Sequence, residues 1–194
     1  MIQSNATHQL ATQAMEELMA VLKALRPDAS WADLTGEILV GALKNGNKIL
    51  TCGNGGSAAD ALHMAEELVG RYKLNRRPLP AICLAADPTL LTCIGNDFGF
   101  ENIFSRQVEA LAQENDVVIA FSSSGDSRNL VRVLESARRN RAITIALLGK
   151  SGGAMRGGAD YELIVPSQET ARIQEIHTLI LHCWLERIDA EFGA

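Results

Sequence analysis

Short apolar segments alternate with longer stretches of helical spacing along this 194-residue chain. Lys48–Cys52, Ala81–Ala85, Val117–Ser122, Ile143–Leu148 and Tyr161–Val165 are rich in Ile, Val, Leu or Ala. Gly, Ser, Asp or Pro stand nearby, the pattern of buried parallel strands. Between them apolar residues recur at helical spacing. Leu130, Val133, Leu134 and Ala137 form one stripe, and Ile173, Ile176, Ile180, Trp184 and Ile188 another. Strand–helix–strand repetition predicts a doubly wound parallel sheet covered on both faces. Two more helices precede the first strand, about Thr7–Leu25 and Trp31–Leu43, the second capped by Ser30 and stopped near Gly46. The chain therefore reads as a single α/β domain over residues 1–194. Residues 1–45 supply packing helices, whose apolar surface serves either packing within the chain or a meeting place for subunits, and residues 46–194 form the core.

Composition narrows the function classes. With 47% hydrophobic and 21% charged residues the chain is an ordinary globular protein. A net charge of −5 and a pI near 5.4 give no reason to expect nucleic acid or an anionic membrane as the main partner. No apolar run approaches the ~18 residues needed to cross a bilayer, and the N-terminus lacks a secretory layout, so a cytoplasmic protein is expected. Cys52, Cys83, Cys93 and Cys183 are scattered without a Cys-x-x-Cys pair, which argues against a structural zinc site or a disulfide framework; buried free thiols are expected. Arg71, Lys73, Arg76 and Arg77 form a basic cluster that reads as solvated loop charge able to draw in a small anion.

Candidate chemistry follows the strands, because parallel sheets bind ligands outside their carboxyl ends. After the third strand, "SSSGDS" (Ser122–Ser127) leads into a helix whose first N–H groups lack internal partners. Those donors, the serine hydroxyls and the helix dipole favour a phosphate monoester, and the serines exceed what capping alone needs. After the fourth strand, Gly149–Gly153 contains Gly-Lys-Ser, but Thr144 stands where a Walker loop needs its first glycine. "GNGGSA" after the first strand meets a loose dinucleotide fingerprint, yet the acidic partner expected about 20 residues on is missing; Asp87 lies well beyond that spacing. From this turn Ser57 is placed to cap a helix running to about Tyr72. On it His63 and Glu67, four apart, share a face and can converge on a metal or a substrate. Glu66 points about 100° away, towards solvent. In the last helix Gln174, Thr178 and His182 form one line and His177 lies off it; periodicity alone makes His182 a hydrogen-bonded core histidine.

"CGNGGSAADALHMAEELVGRY", "IGNDFGFENIFSRQVEAL", "FSSSGDS", the Gly149–Gly153 turn and "TARIQEIHTLILH" together resemble the sugar isomerase (SIS) domain family, most closely its members that isomerise sedoheptulose 7-phosphate. The resemblance runs from Asn45 to the C-terminus. It implies a three-layer α-β-α sandwich with a flavodoxin-like sheet of five parallel strands, a homotetramer, and one Zn²⁺ per subunit. It further implies conversion of sedoheptulose 7-phosphate to D-glycero-D-manno-heptose 7-phosphate for lipopolysaccharide heptose synthesis. The family's zinc ligands fall on His63, Glu67, Gln174 and His182. Its substrate contacts fall on Asn54, Gly55, Gly56, Glu67, Asn96, Asp97, Ser122, Ser123, Ser124, Ser127 and Gln174, with Ser57 and Arg71 as further candidates. Ketose–aldose interconversion moves a proton between adjacent carbons through an enediol, and Glu67 is the better base and His182 the better acid. The alternative is a non-catalytic interaction protein resembling the DnaA initiator-associating protein; that group lacks the second glutamate of "HMAEE", which stands here as Glu67. One departure is Asp126 in the phosphate turn, where a carboxylate disfavours phosphate unless it faces water. Another consequence is geometric. With no Gly or Pro from Gln174 to His182, their Cα atoms stand about 12 Å apart on one helix, so the two ligands are expected from different subunits.

Overall fold

The sheet has five parallel strands in the order β2-β1-β3-β4-β5: β1 (Ile49–Gly53), β2 (Ala81–Cys83), β3 (Val117–Ser122), β4 (Ile143–Gly149) and β5 (Tyr161–Val165). This is a computed structural model, and it describes residues 4–193. Side chains alternate across the pleat. Ile49, Ile119, Phe121, Ile145 and Leu147 enter one apolar core beneath α1 (Ser4–Leu25), α2 (Ala29–Lys44), α3 (Gly56–Val69) and α7 (Thr170–Phe192). Leu50, Cys52, Val118, Ala120 and Ala146 enter the other, beneath α4 (Pro88–Phe98), α5 (Ser105–Leu111) and α6 (Arg128–Arg139). The three-layer sandwich expected from the alternating pattern is thus the architecture observed. No helix of the described residues is long and apolar enough to cross a membrane.

Several local expectations differ. Ser30 does not cap α2. That helix begins at Ala29, two residues before the expected Trp31, behind a 3₁₀ turn, Arg26–Asp28, that carries Pro27, and its N-cap Asp28 makes no side-chain cap bond. β2 stops at Cys83, two residues short of the expected Ala85, where a turn closed by the Ala86 N–H donating to the Cys83 carbonyl at 3.2 Å leads towards α4; Asp87 caps that helix by accepting from the N–H groups of Thr89 and Leu90. Cys52 and Cys83 are buried, and burial pushes both thiols up, whereas Cys93 and Cys183 are exposed rather than core thiols. Trp184 closes the α2–α7 seam, its indole N–H donating to Thr35 Oγ1 at 2.9 Å.

Successive strands run outward in opposite directions from the β1/β3 pair, which makes that pair the topological switch point. The turns after β1 and β3 open there side by side, and they are the glycine and serine turns singled out above.

Candidate active site

Both turns are held by backbone constraints before any ligand is considered. A Cβ at Gly53 would meet the Ser57 carbonyl oxygen at 2.3 Å, so only glycine lets α3 start this close to β1. Asn54 and Asn129 exchange amide hydrogen bonds at 3.0 and 2.9 Å, which ties the first turn to α6. In the serine turn, Ser122 Oγ accepts from the Gly125 N–H at 3.0 Å and Ser124 Oγ from the Asp126 N–H at 3.2 Å. Ser127 is the N-cap of α6 but makes no side-chain cap bond. Asn54, Ser57, Ser122, Ser123, Ser124 and Ser127 line one cavity of about 40 Å³, to which Phe121 and Leu130 add apolar wall. Ser57 therefore serves the cavity rather than capping α3: the helix starts at Gly56, and its N-cap is Gly55 with φ of 56°.

Asp126 does not oppose an anion in this cavity. Its Oδ1 accepts from the Ala154 N–H at 3.0 Å, and its exposed carboxylate lies outside the serine lining. The Gly149–Gly153 turn proves to be a buttress. A Cβ at Gly125, where φ is +72°, would come within 2.0 Å of the Gly152 carbonyl oxygen, and the Met155 N–H donates to the Gly125 carbonyl at 2.9 Å. We expect Asp126→Asn to change inorganic phosphate affinity by less than about threefold, as an exposed charge held off the site should. Isothermal titration calorimetry checks this.

The other half of the site lies along the seam where α3 and α7 run side by side. Gln174 sits on Gly56, its Nε2 2.5 Å from where a Cβ would be. One turn further Thr178 Oγ1 donates to Asp60 Oδ1 at 2.9 Å, and beyond that the His63 and His182 rings meet edge to face at 5.1 Å. His63 Nε2 lies 3.5 Å from Glu67 Oε1. Ligand atoms of His63, Glu66 and Glu67 all fall within 4.8 Å of one another. Glu66 is exposed, as its helical phase predicts, yet its carboxylate still reaches this group.

The histidine that periodicity alone puts in the core is not the one the structure buries. His182 is half-buried and stacked on Tyr72 at 5.6 Å, not a core residue. His177 is the core histidine: burial pushes its pKa down to about 4, and its Nε2 faces the Leu148 carbonyl at 3.3 Å. Gln174 and His182 sit on one unbroken helix, so within one chain Gln174 stays about two turns from the His63–His182 contact.

Asn96 and Asp97 lie on α4, exposed, and bond to each other at 2.7 Å; neither lines the serine cavity. Arg71 is exposed just past the end of α3. Sequence reasoning missed Tyr72, Asn129 and the Asp60–Thr178 rung. The rung did carry a signal: Asp60 stands four residues from Gly56 and three from His63 on the same helical face, and Thr178 falls on the line from Gln174 to His182.

This fold and this pairing of a serine cradle with a His–Glu group define a class. A family model described as the SIS domain matches residues 14–149, and the chain belongs to that family. Within it the chain groups with phosphoheptose isomerases. It is 54% identical over 155 residues to the phosphoheptose isomerase of a Nitratiruptor species, covering 80% of this chain and 83% of the relative. It is 52% identical over 172 residues to that of Citrifermentans bemidjiense, covering 88% and 90%. Among solved structures, a phosphoheptose isomerase from Francisella tularensis superposes with a TM-score of 0.89 at 37% identity, covering 98% of this chain and all of that one.

Proposed function

We propose that this chain interconverts sedoheptulose 7-phosphate and D-glycero-D-manno-heptose 7-phosphate, the step that supplies heptose for lipopolysaccharide. The observation that carries this reading is that one helix bears both ends of the site. Ser57, at the start of α3, lines the serine cavity, while His63 and Glu67 follow about 9 and 15 Å further along the axis. A sugar phosphate anchored at its phosphate by Ser122–Ser127 lays its carbon chain along the α3–α7 seam, with its reacting end at Glu67 and His182. Anchoring the far end converts binding into positioning at the reacting carbons.

Glu67 takes the carbon-bound proton of the ketose and returns it to the neighbouring carbon, and His182 donates to the oxygen that gains charge in the enediol. His182 also assists opening of the sugar ring. The clustered donors of His63, Glu66 and Glu67 suit zinc, since imidazole nitrogens and carboxylate oxygens are among its ordinary ligands. His63, Glu67, Gln174 and His182 would hold the ion, one per subunit, and when bound it supplies Lewis-acid polarisation of the carbonyl and hydroxyl oxygens. Asn54, Gly55, Gly56, Asn96, Asp97 and Arg71 complete the substrate contacts in this reading. The working form is a cytoplasmic homotetramer, an assembly that would cover apolar side chains such as Leu10, Met15 and Met19 of α1.

Adding sedoheptulose 7-phosphate to the purified protein and following the aldose signals by NMR tests the proposal. Absence of aldose would return the chain to the binding-protein alternative. The serine cradle has its own test: replacing Ser124 and Ser127 together by Ala should weaken inorganic phosphate and substrate in parallel, by about 10-fold or more. Unchanged phosphate affinity by calorimetry would move the anion site elsewhere.

A further inference from the structure

The basic run after α3 is not uniformly solvated. Lys73 is exposed and pairs with Glu186, but the side chain of Arg76 has 0% exposure. All three nitrogens of its guanidinium are engaged. Nε donates to Asp189 Oδ1 at 2.9 Å, Nη2 to the Glu67 carbonyl at 2.6 Å, and Nη1 to the Leu68 carbonyl at 2.8 Å and the Arg77 carbonyl at 3.3 Å. The other oxygen of Asp189 accepts from the N–H groups of Lys73 and Leu74, both at 2.8 Å. Burial works against ionisation of Asp189, but the Leu74 and Lys73 N–H groups and Arg76 outweigh it and hold the carboxyl below the usual range.

A buried ion pair is poor grounds for a stability role, because an apolar pair of similar volume often packs as well. What an arginine fork adds is placement of several acceptors at fixed angles. Here those acceptors include the peptide of Glu67. The loop pinned by Asp189 carries Tyr72, whose ring stacks on His182 at an interplanar angle of 20°. Acid and base thus stand on different helices, α7 and α3, and the Arg76 guanidinium bridges the two at the Glu67 end, bonding Asp189 on one and the Glu67 carbonyl on the other.

We infer that Arg76, with Asp189, is a positioning residue for the isomerisation: through the Glu67 carbonyl and the loop bearing Tyr72 it sets where Glu67 and His182 stand relative to one another. This rests on the roles proposed above for Glu67 and His182. Arg76→Lys keeps the charge and loses the fork; Asp189→Asn keeps an acceptor for the loop and loses the charge. In both, kcat for sedoheptulose 7-phosphate should fall by about 10- to 100-fold, the scale typical of residues that orient a site from behind. The KM and the dissociation constant for inorganic phosphate should stay within about threefold, because the serine cavity has its own supports. The imidazole NMR signals of His182, shifted by the Tyr72 ring, should move towards those of Tyr72→Leu, while the His177 signals stay in place. A kcat within about threefold of wild type in both variants overturns the inference. So does phosphate affinity falling in step with kcat, or His177 moving as far as His182, since either marks general loosening of the fold. Should the wild-type chain not turn over this sugar, the proposed function fails on its own, and the NMR comparison still decides the role of Arg76.

Discussion

Glu67→Gln lowers kcat by about 10²- to 10⁴-fold, the range a general base contributes, with the fold intact. The amide matches the carboxylate in shape and keeps hydrogen bonding but cannot accept the proton. The site around it should survive, since Arg76 grips the Glu67 carbonyl whatever the side chain is, and the His63–His182 contact does not depend on Glu67. The Glu67 side chain is 17% exposed, which limits the water able to substitute for it as base. Glu66→Gln is the matched control: its carboxylate is near but exposed, and its turnover should stay close to wild type. Steady-state kinetics on the two purified variants, with circular dichroism as the check on folding, measure the contrast. Near-normal turnover in Glu67→Gln removes it as the base. An equal fall in both variants would assign the chemistry to the carboxylate pair.

The strands could be read from the sequence because central parallel strands are buried on both faces and appear as near-continuous apolar runs; β1 and β4 are such runs, each interrupted by one threonine, and so is β3 up to its terminal Ser122. α4 and α5 had no such signature, and each contributes few buried apolar residues, Ile94 and Val108 among them. Within the site, helical spacing alone aligns Gly56, Asp60, His63 and Glu67 on α3, and Gln174, Thr178 and His182 on α7. That the two rows face each other is a tertiary fact. It follows from two helices crossing the same face of a parallel sheet, and no local pattern encodes it. The misplacing of His182 by periodicity has the same origin: both histidines lie among apolar neighbours in sequence, and the contacts of His182 with Tyr72 and His63, brought in from α3 and the loop behind it, are tertiary, so only the family resemblance placed it among the candidate ligands. Arg76 was hidden more thoroughly, since its charge partner Asp189 lies 113 residues away.

Mixing two inactive variants, Gln174→Ala and His182→Ala, should restore activity once subunits exchange. The structure sharpens the reason. α7 runs unbroken from Thr170 to Phe192, so the two residues stand about 12 Å apart along its axis, and helical side chains lean the same way, towards the N-terminus. In one chain Gln174 is committed to Gly56 and His182 to His63, at opposite ends of the seam. Zinc bonds of only ~2 Å leave no means for both side chains of one helix to reach one ion without uncoiling it. A glutamine from a neighbouring subunit meets no such restriction. If each site takes its glutamine and its histidine from different subunits, random exchange leaves about one site in four with neither lesion, so roughly a quarter of wild-type turnover should appear in the mixture. Native mass spectrometry establishes that exchange has occurred. Mixed oligomers without recovered turnover would place Gln174 and His182 in the same site of a single chain, and α7 would then have to deform when the metal binds.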